Sequence, residues 1–191
     1  MSLHADAVRT LSAWTAPDAD QETLRSTYLA HLHHHENGVL RACRPDHLTA
    51  SALVMSHDGE RALLVRHRKA GLWLQTGGHC EAGDDSLAGS ALREAAEETG
   101  IEGLRIDPQP IRLSRHAVPF CTDPDRPVPG TPHHLDVQFV AIAPAGAEAA
   151  PPPGEDPVRW FSAEARPEPT DDDTLRLIAA ARQRLRGTPA P

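Results

Sequence analysis

The stretch Arg93-Glu94-Ala95-Ala96-Glu97-Glu98-Thr99-Gly100-Ile101 constrains this chain more than any other. On a helix, Glu94, Glu97 and Glu98 stand at i, i+3 and i+4, so three carboxylates share one face. Like charges at that spacing destabilise a helix by roughly 0.2–0.5 kcal/mol per pair. Two readings are open for such a cluster: a solvated acidic face, or oxygen ligands for a hard divalent cation, Mg²⁺ or Mn²⁺. The upstream pair Gly77-Gly78 favours the second, because a backbone without Cβ can come close to a metal or a phosphate. Asp84 or Asp85 is placed to cap the helix, and Gly100 to stop it in the left-handed conformation. Ala88, Ala91, Leu92 and Ala95 make a lean apolar stripe, which predicts close packing of this helix on a sheet.

The surrounding sequence supplies such a sheet. Leu48 to Met55 and Ala62 to Val65 are apolar runs on either side of His57-Asp58-Gly59-Glu60, the pattern of a hairpin. Trp73-Leu74-Gln75 reads as a short strand leading into the glycine pair, and Gly77 to Asp85 as a loop. His79 and Cys80 are read as loop residues, since sequence neighbours rarely both ligate one ion. Leu104 to Leu113 holds a strand or two, and His134 to Ile142 alternates and then turns apolar, as a core strand does. Val158 to Phe161 is the last short strand. Thr170 or Asp171 then caps a helix that buries Leu175, Ile178 and Leu185.

Glycine loop, acidic helix and flanking strands together resemble the Nudix hydrolases. Their signature runs from a glycine through a glutamate to an Arg-Glu-aliphatic-x-Glu-Glu-x-Gly-aliphatic block. Gly78 matches the opening glycine; Arg93, Glu94, Glu97, Glu98, Gly100 and Ile101 match the closing block in register. The intermediate glutamate position falls on Asp84, with one extra residue before Arg93, or on Asp85 with the extra residue before it. Thr76 stands where many members have proline. The resemblance implies an α/β chain with a mixed β-sheet sandwiched between α-helices. It also implies Mg²⁺- or Mn²⁺-dependent cleavage of a pyrophosphate linkage in a nucleoside diphosphate derivative.

By the same resemblance, Glu97, Glu98 and the Gly77 carbonyl bind metal, while Glu94 is a further ligand or orients the attacking water. Arg93 pairs with a carboxylate of the cluster, and Glu81 supports the loop. Asp136 and Glu155 are candidate accessory acids; for Asp136, a plain strand-edge carboxylate is the other reading. Arg68, in the basic run His67-Arg68-Lys69, is either a contact to substrate phosphates or part of a solvated loop. Gly78 is a candidate for close approach to substrate, and Trp14, Tyr28, Trp73 and Phe120 are candidates for stacking on a base or for the core. Two readings from other classes stand beside the hydrolase: a silent nucleotide or ADP-ribose sensor on the same fold, and an isomerase of the isopentenyl-diphosphate type. The isomerases carry Cys-Gly-His-Pro where this chain has Gly77-Gly78-His79-Cys80, which puts glycine at the catalytic cysteine's place.

Residues 1–38 read as a helical extension ahead of a main domain at 39–187. Val8, Leu11 and Trp14 share a face, Asp18 caps a second helix, and Leu24, Tyr28 and Leu32 continue its stripe. Such an extension is compatible with covering the core, with a homodimer contact or with closure over substrate. His31 and His35 at its end have i, i+4 spacing; a polar helix end explains them without a metal. Residues 117–133, dense in proline, form a long loop of the kind that selects substrates.

Composition narrows the partners. A net charge of −8 without a basic stretch argues against nucleic acid, whereas a small anion remains compatible because a divalent cation reverses the local field. No apolar run is long enough for a membrane span, and the N-terminus lacks a signal pattern. Three scattered cysteines do not make a disulfide framework. The expected location is cytoplasmic.

Overall fold

A computed structural model describes residues 2–119, 121 and 130–187, so Phe120 and much of the proline-rich loop lie outside the described residues. The helices are α1 (Leu3–Ala13), α2 (Ala19–His34), α3 (Leu87–Thr99) and α4 (Asp172–Gly187). The strands are β1 (His47–Met55), β2 (Arg61–His67), β3 (Leu72–Leu74), β4 (Thr76–His79), β5 (Arg105–Ile106), β6 (Arg112–Ala117), β7 (His133–Ile142) and β8 (Val158–Ser162). They form one mixed sheet among helices, as the sequence implied.

The long strands β1 and β7 lie parallel at its centre, paired from His47↔His134 to Met55↔Ile142. Each outer edge of this pair is shared by two partners. β1 takes β2 at Val54–Met55 and β4 at Thr49–Ala52. β7 takes β6 at His133–Gln138 and β5 at Ala141–Ile142. The sheet therefore divides, and at one end its strands run β4, β1, β7, β6.

Alternation along β1 sends its side chains to two cores. Leu48, Ala50, Ala52 and Val54 join Leu87, Ala91 and Ala95 of α3, while Leu53 and Met55 join Leu177, Ile178 and Ala181 of α4. The alanine stripe of α3 thus allows the close approach expected of it. Leu177, not Leu175, is the buried leucine of α4, one step of helical phase from the expected stripe. Asp171 caps α4 by accepting from Thr174 N–H at 2.8 Å, and Thr170 instead donates to the Trp73 carbonyl. α3 is capped by Ser86, whose Oγ accepts from Gly89 N–H, which corrects the assignment to Asp84 or Asp85. The C-cap is Gly100 with φ 65°, and a Cβ there would lie 2.0 Å from the Ala150 carbonyl.

α1 and α2 pack into the same core as α3. Leu11, Tyr28 and Leu32 are fully or almost fully buried there. The Asp18 cap forms as expected. Three side chains weld these helices to the rest through polar contacts. Gln21 exchanges two hydrogen bonds with the backbone of Leu113, at 2.7 and 3.0 Å, so a side chain takes a ladder position beside β6. Asp6, buried on α1, accepts from Leu87 N–H at 2.9 Å and places a carboxylate at the N-terminus of α3, where the helix dipole favours it. Tyr28 also donates to the Ser114 carbonyl at 2.6 Å. Among the described residues, no helix is long and apolar enough to cross a membrane.

Candidate active site

Gly77 and Gly78 are strand residues of β4, a correction to the loop read from the sequence; β4 ends at His79. The reason is tertiary: β1 offers its edge to them, with Ser51↔Gly77 and Ala50↔Gly78 in register. A Cβ on Gly77 would lie 2.4 Å from Ser51 Cβ, and one on Gly78 would lie 2.6 Å from Glu94 Oε2. The two glycines are thus the condition for β4 to fit between β1 and the glutamates.

On the α3 side of this bare strand the acids converge around Arg93. Its guanidinium holds Asp84 with two bonds of 3.1 Å, and also Glu94 at 2.9 Å and Glu97 at 3.1 Å. It donates in addition to the His79 carbonyl at 3.2 Å. The planar fork suits such multiple bonding. Burial disfavours the charged form of Asp84, but the Arg93 bonds and the Glu81 N–H outweigh it and hold the pKa below the usual range. Asp84 therefore anchors Arg93, while Asp85 is exposed. Glu81 lies within 3.9 Å of Arg93, and its N–H donates to Asp84.

Glu98 accepts from Gly77 N–H at 3.1 Å. Burial, opposed by that bond and reinforced by Glu94, Glu155 and Asp156, pushes its pKa up to about 8. Glu94 is raised too, by burial that outweighs the neighbouring Arg93. Glu97 keeps its side chain 58% exposed. These residues fit a hard divalent cation: oxygen donors are gathered against their own electrostatic preference beside a backbone stripped of Cβ atoms. Glu155 contributes through its field at Glu98.

On the other side of β4 lies a cleft of about 650 Å³, lined by Gly77, Gly78, His79, Thr49, Asp136 and the run His67-Arg68-Lys69, among others. The glutamates are not part of its lining; the bare strand stands between. Asp136 is buried, accepting from Thr49 Oγ1 at 2.9 Å, Ser51 Oγ at 2.6 Å and Gln138 Nε2 at 3.2 Å. It is a mid-sheet carboxylate with its oxygens engaged, which corrects the reading as a strand-edge acid. Arg68 pairs with Asp156 and donates to the Gly154 and Glu155 carbonyls at 2.9 and 3.0 Å, bracing the turn that carries Glu155.

Among the described residues, the aromatic candidates Trp73, Tyr28 and Trp14 are elsewhere. Trp73 packs edge-on against Phe161, ring centres 5.1 Å apart, while its neighbours Leu72 and Leu74 line the cleft. Tyr28 is in the core, and Trp14 packs against that core at the end of α1. His31 Nε2 lies 3.4 Å from the Gly38 carbonyl, and the His31 and His35 rings adjoin at 4.8 Å.

One group escaped sequence reasoning. His47, His79, His134 and His116 come from β1, β4, β7 and β6, and strand register sets them in a row at one end of the cleft face. Cys121, from the chain beyond β6, lies over them, with Sγ 3.6 Å from His79 Nε2. Burial lowers the His47 and His79 pKa to about 4, and His134 lower still. The available signal was the pair His133-His134 beside the aspartate of an alternating strand, which says nothing of partners on other strands.

The family model for the NUDIX domain matches residues 45–180. Among solved structures, a NUDIX-family hydrolase from Clostridium perfringens is similar, with 22% identity, a TM-score of 0.57 and coverage of 73% of this chain and 97% of that one. The E. coli dihydroneopterin triphosphate pyrophosphohydrolase is 20% identical, with a TM-score of 0.55 over 69% of this chain and 91% of that one. A C. elegans Ap4A hydrolase is 16% identical, with a TM-score of 0.55 over 74% of this chain and 98% of that one. At these identities the likeness is one of fold. No curated protein matches.

Proposed function

The chain belongs to the Nudix hydrolase family, and from that premise we propose that it cleaves a pyrophosphate linkage in a nucleoside diphosphate derivative, with Mg²⁺ or Mn²⁺ as cofactor. The observation that carries this reading is the convergence of Glu94, Glu97 and Glu98 beside Gly77 and Gly78. Glu97, Glu98 and the Gly77 carbonyl would hold the ion, with Glu94 as a further ligand or the group that orients water. The ion's chemistry is to neutralise diphosphate oxygens and to acidify an attacking water.

The chain's own residues do the positioning. Arg93, clamped by Asp84, fixes the carboxylates of Glu94 and Glu97 and prevents their mutual repulsion from splaying them. The diphosphate would lie beside the β4 backbone that the glycines bring against the glutamates, and the remainder of the substrate would fill the cleft. Lys69 and the Arg68–Asp156 pair stand on that cleft's wall. Two structural neighbours, a dihydroneopterin triphosphate pyrophosphohydrolase and an Ap4A hydrolase, support a substrate holding linked phosphates.

The test is product identification from a panel of nucleoside diphosphate derivatives, with and without Mg²⁺. Metal-dependent cleavage of one class names the substrate and the scissile bond. Glu97→Gln is expected to lower turnover by more than about 100-fold, the scale on which losing one electrostatic stabiliser acts, with an unchanged thermal melt. Full activity in that variant would remove Glu97 from the site.

A further inference from the structure

We propose that His47, His79, His134 and Cys121 form a metal site separate from the glutamate cluster, built for a borderline transition-metal ion of the Zn²⁺ class. Four ligand atoms, one from each residue, all lie within 4.8 Å of one another. The Cys121 Sγ stands 3.6 Å from His79 Nε2 and 4.0 Å from His47 Nε2. Ligands about 2.0–2.3 Å from a tetrahedral Zn²⁺ are separated by about 3.3–3.8 Å, so a small contraction around an ion reaches that geometry.

The surroundings prepare the donors. His47 Nδ1 lies 3.2 Å from the Cys43 carbonyl, which can only accept, so the proton is on Nδ1 and the Nε2 lone pair faces the cluster. This is the outer hydrogen bond that orients a ligating imidazole. The Cys121 backbone is pinned by Arg44, which donates to its carbonyl at 2.7 Å, and by its own N–H bond to Val118. His134 Nε2 is buried with no hydrogen-bond partner among the described residues. The thiol offers one hydrogen, and His47 Nε2 has none to give. A cation that displaces the thiol proton to solvent satisfies sulfur and imidazoles together.

The donor set decides the ion. Three imidazoles and a thiolate select Zn²⁺ or a neighbouring transition metal, whereas the glutamates select a hard cation. Four protein ligands close a tetrahedral shell, which makes the site structural. Its effect is to fasten Cys121, and the start of the segment after β6, onto the strands at the end of the cleft.

The test uses the full chain without a polyhistidine tag: metal content after purification, then Co²⁺ titration of the stripped protein. Expected are one transition-metal equivalent per chain and a Co²⁺ spectrum with intense tetrahedral visible bands and thiolate-to-cobalt charge transfer. Cys121→Ser should abolish the charge-transfer band and weaken Co²⁺ binding by more than about 10-fold, the least that losing even an outer partner costs. Glu98→Gln should leave band and affinity intact. A weak octahedral spectrum without a thiolate band in the wild-type protein overturns the site, whatever the variants do. So does a band that survives Cys121→Ser or disappears in Glu98→Gln.

Discussion

Glu94 and Glu98 crowd the α3 side of β4, while His79, with His47 and His134, crowds the cleft side, and burial acts on the two sets in opposite directions. It raises the carboxylate pKa values and lowers those of the imidazoles. In both cases the charged form is disfavoured by loss of water. The outcome for a metal differs. A protonated carboxylate must lose its proton before it binds, whereas a neutral imidazole already has its lone pair free. The acidic side also carries an internal cation, Arg93, that holds Asp84, Glu94 and Glu97; the histidine side has a thiol. One strand thus separates the hard donor set proposed for Mg²⁺ or Mn²⁺ from the softer one proposed for a transition metal.

Gly77 is where the two sides meet, so its replacement is the strongest way to break the comparison. Gly77→Ala is expected to cost about 1–3 kcal/mol in overpacking, because its Cβ would meet Ser51 Cβ at 2.4 Å and Cα at 2.7 Å. Mg²⁺-dependent turnover and the Co²⁺ spectrum should both fall. Chemical denaturation and the two metal assays check this, and loss of only one function would show that the sides are not coupled through β4.

The opposite pKa shifts sharpen the contrast in protein stripped of metal by a chelator. Glu98 has a folded pKa of about 8 against an ordinary 4.5, so its contribution is fully present below pH 4.5 and is lost as pH rises towards 8. Glu94, Glu155 and Asp156 face it and enlarge the loss. His47 and His79, with folded values of about 4 against 6.5, contribute above pH 6.5 and lose that contribution as pH falls towards 4. His134, Arg41 and Arg44 surround them. Thermal melts from pH 4.5 to 8.5 should show Glu98→Gln flattening the alkaline limb and His47→Gln flattening the acid limb. Both variants acting on the same limb would contradict the assignment.

Two smaller effects concern how the acidic side is held. Asp84→Asn should remove the anchoring charge from Arg93, lower turnover by about 10-fold or more and lower the melt, because the folded state favours ionised Asp84; kcat and KM measured separately would place the activity loss in kcat if Arg93 positions the glutamates. Asp6→Ala removes the carboxylate that accepts from Leu87 N–H, and should cost about 1 kcal/mol, the usual scale of a helix cap. A melt that does not move would mean that α1 contributes no cap to α3.

The legible part of this protein was the part written in neighbouring residues. Helix periodicity sets Glu94, Glu97 and Glu98 on one face, Gly100 ends the helix, and Asp18 begins another. The hairpin of β1 and β2 followed from apolar runs around a turn. Local preference misleads where a partner elsewhere in the chain overrides it. Gly77 and Gly78 look like loop residues until β1 pairs with them. Ser86, next to the first helical residue, takes the cap, and Asp84 binds Arg93 instead.

By itself, then, the sequence determined the acidic helix, the alternation of the strands and, through its resemblance, the family. Those depend on periods of 3.6 and 2 residues along one chain. Only the tertiary structure decided which strands lie side by side, and hence that His47, His79, Cys121 and His134 share one small space. Register between strands comes from long-range pairing, and no spacing in the sequence encodes it.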